Sequence, residues 1–174
     1  MRTCGWAPLL FISFFMVFCL SACQEKTSGI EVLIFSDMSK GMKEQLMEKA
    51  FQPDEEMYDV KILPAIPEKL LVEITAKQGE VMFVPEELFR TYDDPESFHL
   101  LHGMQEDGEA VGPYTIKEPK TGKMVDYAVQ INKGTKKLNG YTFRLNREMV
   151  AFIPVYAEKS KEALSLIWQL RDNQ

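Results

Sequence analysis

The chain predicts an α/β fold: a single domain with a mostly parallel sheet flanked by helices and an antiparallel hairpin region in the second half. Three observations carry that prediction. Short apolar runs alternate with amphipathic helical stretches between residues 30 and 90, and such alternation implies parallel strands joined by right-handed crossovers. The runs Val32-Leu33-Ile34-Phe35 and Val81-Met82-Phe83-Val84 are continuous, as in strands covered on both faces. After residue 112 the apolar period shortens to two and turn residues recur, the mark of hairpins.

Glu31 to Phe35 is the first predicted strand. Ser36, Asp37 and Ser39 follow it with side chains able to cap a helix. That helix runs to about Phe51, with Met42, Leu46, Met47, Ala50 and Phe51 on one side, and Pro53 ends it. Tyr58 to Leu63 is the second strand. Pro67 suits a first helical position. The helix behind it extends to Gln78, with Leu70, Leu71 and Ile74 as its inner stripe and Gly79 as its stop. Val81 to Val84 is the third strand, and Glu86 to Arg90 adds one helical turn. Residues 91–112 read as an acidic loop containing one short helix, Ser97 to Met104. Tyr114-Thr115-Ile116 and the alternating stretch Val125 to Ile131 flank a turn at Pro119 to Gly122. Asn139-Gly140 introduces Tyr141 to Leu145. Met149 to Val155 is the last strand, and a helix from about Lys159 to Leu170 turns Ala163, Leu164, Ile167 and Trp168 inward.

Charge is unevenly distributed. Residues 23–112 hold eight basic and twenty acidic side chains, whereas residues 113–174 hold eleven basic and six acidic. The acidic total argues against a nucleic-acid partner. Lys133, Lys136, Lys137, Arg144 and Arg147 form a solvated basic side, or a patch suited to anionic lipid or a cell-wall polymer.

The first residues form a separate unit. Arg2 is followed by an apolar stretch from Ala7 to Leu20, shorter than the roughly 20 residues a membrane span needs. It ends in Leu20-Ser21-Ala22-Cys23, which resembles a bacterial lipoprotein lipobox. The resemblance implies cleavage before Cys23 and a diacylglyceryl thioether on its sulfur, with acyl chains such as palmitate. On that reading residues 1–22 are a lipoprotein signal peptide, 23–29 a tether and 30–174 the folded domain. The place implied is the extracytoplasmic face of the cell membrane, with membrane lipid reached through Cys23. Cys4 and Cys19 fall in the leader, so the mature chain has one thiol, and no internal disulfide is expected.

Two further segments carry a second resemblance. Asp59 to Pro64, Leu70 to Ile74 and Gly79 to Pro85 give a strand, a helix and a Gly-acid-apolar strand; Val150 to Pro154 and Lys161 to Ile167 give a strand, a proline loop and a helix. These are similar to elements of one lobe of the type II periplasmic or extracellular solute-binding proteins. Such a relation implies a substrate-binding component of a transporter. Those proteins close two lobes on a ligand, and a domain of this length has room for one.

Motifs for chemistry are sparse. Gly-x-Ser-x-Gly, the phosphate-binding Gly-x-x-x-x-Gly-Lys and His-Glu-x-x-His are all missing. His99 and His102, three apart on the expected short helix, share a side and can approach one metal, but zinc wants three or four convergent ligands. The expectation is therefore a non-enzymatic binding protein without cofactor or metal, its partner a protein or a small ligand. A hydrolase or metal-dependent accessory enzyme is the more remote reading. In an open α/β sheet a ligand sits beyond the carboxyl ends of the strands. The candidate ligand residues are accordingly Ser36, Asp37, Ser39, Glu86 and Glu87.

Overall fold

A computed structural model describes residues 29–51, 57–102, 112–139 and 141–172. The lipobox and most of the tether lie outside these residues. The order is β1 (Ile30–Phe35), α1 (Lys40–Leu46) running into a π-helical turn (Met47–Phe51), β2 (Tyr58–Leu63), α2 (Pro67–Thr75), β3 (Val81–Pro85), α3 (Glu86–Phe89) and a 3-10 turn (Pro95–Ser97). Then come β4 (Thr115–Lys117), β5 (Met124–Asp126), β6 (Ala128–Ile131), β7 (Gly134–Leu138), β8 (Tyr141–Leu145), β9 (Met149–Phe152) and α4 (Ser160–Asp172).

The central sheet has the order β2-β1-β3-β9-β6, with β4-β5 and β7-β8 as separate hairpins. It is a mixed sheet, which corrects the mostly parallel expectation. β1 pairs parallel with β2 and β3, and β9 pairs antiparallel with β3 and β6. The cause is the connection. A parallel neighbour needs a long crossover, whereas the chain leaves β6, makes the β7-β8 hairpin and returns without a helix, so β9 comes back reversed beside β6.

Alternate residues of each central strand feed two cores. Val32, Ile34, Val81, Phe83, Ala151 and Ile131 face Leu46, Ala50, Phe51 and the inner side of α4. Leu33, Phe35, Met82, Val84, Val150 and Phe152 face Leu70, Leu88, Phe89 and the aromatic rings of Phe98, Tyr114 and Tyr127. The continuous apolar runs are thereby explained: both faces are covered. The β7-β8 hairpin lies over the first core through Leu138, Phe143 and Leu145, and its turn is fastened by Asn139 Nδ2 donating to the Ala50 carbonyl at 2.8 Å. A wholly apolar cavity of about 30 Å³ remains beneath it, between Ile34, Phe83, Phe143 and Met149.

Gly79 is required where it stands. Its φ is +84°, and a Cβ there would lie 2.8 Å from the Leu33 side chain. Its N–H donates to Glu31 Oε2 at 2.6 Å, so the close approach also satisfies a backbone donor.

Several details depart from the periodicity. The stretch Val125 to Ile131 is not one hairpin arm; it breaks at Tyr127, and its second part joins the central sheet. Residues 98–102 form no helix: Phe98 bridges Pro154 and the His99 N–H donates to the Ile153 carbonyl at 2.8 Å. The rest of that expected helix lies outside the described residues. Met42 and Leu71, expected in the core, are exposed. Residues 134–138, to which the periodicity assigned no element, form β7.

Candidate functional site

β1, β3 and β6 all run toward one edge of the sheet, and β9 starts there. Sheet order reverses between β1 and β3, since β1 leads outward to β2 while β9 and β6 lie on the other side. That junction is where open α/β sheets leave a crevice. Here it is a cleft of about 440 Å³ lined by Glu86, Glu87, Arg90, Lys133, Asn146, Arg147 and Glu148. Three separate segments supply these residues, one after β3, one after β6 and one before β9.

Arg147, just before β9, ties the loops together. Its Nη1 donates to Glu87 Oε1 at 2.8 Å and its Nη2 to Asp37 Oδ2 at 3.4 Å. The three side chains are 47%, 67% and 59% exposed, so each ion pair is worth at most about 1 kcal/mol to the fold. A ligand can displace them at little cost.

Glu86 is different. Its side chain is only 16% exposed, and Arg90 Nη2 lies 2.5 Å from its Oε1. Tyr114 Oη donates to the same oxygen and Gln130 Nε2 to Oε2, each at 3.2 Å. The Arg90 hydrogen bond, against the cost of burial, holds the Glu86 carboxyl below its ordinary value of 4.5. Burial and the neighbouring Glu86 carboxylate push the Tyr114 phenol up, so it stays a neutral donor. Pro85 ends β3 and α3 begins at Glu86; this turn sends Glu86 inward toward Tyr114 and Gln130 and leaves Glu87 exposed for Arg147.

A lowered carboxyl pKa stabilises the fold above the unfolded value and ceases to do so as pH falls through the folded one. Glu86→Gln is therefore expected to destabilise the protein near pH 7 and to differ much less from wild type near pH 3. Urea denaturation at the two pH values measures this, and a pH-independent difference would refute the ionic role of Glu86.

Of the five sequence candidates, the structure brings Asp37, Glu86 and Glu87 to the cleft. Ser36 and Ser39 play local parts. Ser36 Oγ accepts from the Met38 N–H at 3.3 Å, and Ser39 stands at the N-cap of α1 without a side-chain capping bond. Arg90, Asn146, Glu148, Gln130 and Tyr114 escaped sequence reasoning because they come from four places far apart in the chain. The basic side foreseen in the second half is not one surface. Lys133 and Arg147 line the cleft, while Lys136 is 2% exposed beneath the β7-β8 hairpin, and burial lowers its pKa.

His99 and His102 lie on no common helical face. His99 buries its Nε2, while His102 is exposed with its Nε2 3.5 Å from Glu118. No group of three or more metal-capable side chains occurs among the described residues, and no helix among them is long and apolar enough to cross a membrane.

A lipobox-type leader before a mixed α/β domain with a strand-end cleft describes a bacterial lipoprotein. The chain is 50% identical over 153 residues to the protein described as "Putative lipoprotein YteS" of Bacillus subtilis (strain 168), covering 88% of this chain and 89% of that one. It belongs to the same family as that protein. No family model matches the chain, and no solved structure matches it. The likeness to a solute-binding lobe therefore rests on the sequence pattern.

Proposed function

We propose that the protein is an extracytoplasmic lipoprotein, held to the cell membrane through acylated Cys23, whose domain binds a small polar ligand in the strand-end cleft without transforming it. The observation that carries this reading is the arrangement at the sheet's switch point. Exposed, easily exchanged partners (Arg147, Asp37, Glu87, Lys133) surround one carboxylate, Glu86, that is held in place by three donors. Donors and acceptors of both charge signs suit a ligand rich in hydroxyl, amino or carboxyl groups, such as an amino acid, a short peptide or a sugar. Glu86 is kept ionised by Arg90 and is poorly suited to donate a proton, which favours binding over acid-base catalysis.

The test is thermal denaturation of the full-length protein in detergent with amino acids, short peptides, and mono- and oligosaccharides. A cognate ligand at a hundred times its Kd adds about 2.7 kcal/mol of stability, a shift of several degrees. Arg147→Ala is expected to leave the ligand-free melting temperature nearly unchanged and to weaken binding about tenfold or more, as loss of a charged hydrogen bond does. Absence of any shift across the panel, or equal shifts in the variant, would overturn the reading. The narrower reading, a substrate-binding component of a transporter, draws on the same strand-end cleft. Specific recovery of a permease after cross-linking in membranes would favour it; recovery of another protein would favour a protein-docking role.

A further inference from the structure

We propose that the amino-end rim of the sheet rests on the lipid headgroup surface, so that the strand-end cleft opens away from the bilayer. This rests on the acylation of Cys23 and adds to it the point at which the chain enters the fold. β1 starts at Ile30, at the sheet edge opposite the cleft, because β2, β1, β3 and β6 all run from that edge. The entry point is held firmly. Lys159 Nζ donates to the Gly29 carbonyl at 2.7 Å, and the Ile30 N–H donates to the Met57 carbonyl at 2.6 Å. Gly29 is buried, and the Met57 backbone lies 3.0 Å from where its Cβ would be.

Six peptide steps separate Cys23 from Gly29, a reach of at most about 20 Å. An acylated Cys23 therefore keeps this rim within that distance of the bilayer. The strands are up to six residues long, which places the cleft roughly 20 Å farther out. The rim surface suits the lipid interface. Met57, just before β2, is 52% exposed, and Val155, just after β9, is 57% exposed. Exposed Lys77, behind α2, and Lys161, in the first turn of α4, lie toward the same edge beside exposed Glu158 and Glu162, so the rim carries both charge signs, and the Glu80 carboxylate there is taken up by the Lys159 N–H at 2.8 Å. Two apolar side chains and two lysines do not anchor a protein by themselves; the acyl chains supply affinity, and the rim sets orientation.

The experiment uses full-length protein purified from bacterial membranes, in vesicles whose lipids carry a nitroxide at the headgroup. Met57→Cys, Val155→Cys and Asn146→Cys each place a fluorophore at an exposed position, the last at the cleft. Flotation with the vesicles is read first. Labels at 57 and 155 are expected to be quenched several-fold more than the label at 146. Equal quenching, or stronger quenching at 146, overturns the orientation while leaving the anchor intact. Failure of the unlabelled protein to float overturns the acylation on which it rests.

Discussion

Replacing Cys23 with serine is expected to release the protein from membranes almost completely. The thioether needs the thiol, and a serine hydroxyl does not substitute for it. Each buried methylene contributes about 0.8 kcal/mol to membrane binding, so losing a pair of acyl chains removes far more affinity than surface contacts return. The stretch Ala7 to Leu20 is short of the roughly 20 residues a span requires, and no described helix is long and apolar enough to cross. Fractionation followed by an alkaline wash reads the effect, and intact mass reads the missing acyl groups. Retention of the serine variant in the washed membranes, like that of wild type, would dismiss lipid anchoring through this residue.

Phe152→Ala is expected to cost about 3–5 kcal/mol, a large part of the total stability of a domain of this size. Phe152 is 1% exposed at the end of β9, opposite Met82 on one neighbour and Ala128 on the other. Its ring centroid lies 4.5 Å from that of Phe98 and 5.4 Å from that of Phe89. Truncation would leave a void that strands on both sides keep from collapsing. The melting temperature should fall by about 10 °C or more, whereas Leu71→Ala, at a side chain 52% exposed, should change stability by less than about 0.5 kcal/mol. The effect reaches the cleft. Phe89 stacks edge-on against Tyr114, with centroids 4.9 Å apart, and Tyr114 holds Glu86. Equal losses in the two variants would mean that this aromatic cluster is not the stability centre of its face.

The first half of the fold was legible because its chemistry is local. The run Val32 to Phe35 buries on both sides, Pro67 opens α2, and Gly79 permits the positive φ behind it. Legibility failed where short segments choose among partners. Ser97 to His102 lacks a strong local preference and is set by Phe98 pairing with Pro154, across more than fifty residues. Thr135-Lys136-Lys137 looks solvated in sequence, yet it forms a strand because Phe143, Leu145 and Leu138 can cover the core from that hairpin. Leu71 sits beside a buried Leu70 on the same helix, and only the packing of α2 on the sheet decides which one faces in.

The cleft divides in the same way. The rule that ligands meet α/β sheets beyond strand ends pointed to Asp37, Glu86 and Glu87 without any coordinates. Arg147 could not be assigned, since its partners stand 60 and 110 positions earlier. By itself, the chain's order of residues carried the lipobox on which the proposed anchor at Cys23 rests, and determined the α/β class and the strands that bury both faces, because each depends on neighbours within a turn or two. Only the tertiary structure decided that β9 returns antiparallel between β3 and β6, that Arg147 meets Asp37 and Glu87, and that Glu86 is locked by Arg90, Tyr114 and Gln130. Those outcomes depend on which distant surfaces shut out water together, and that is a property of the packed whole.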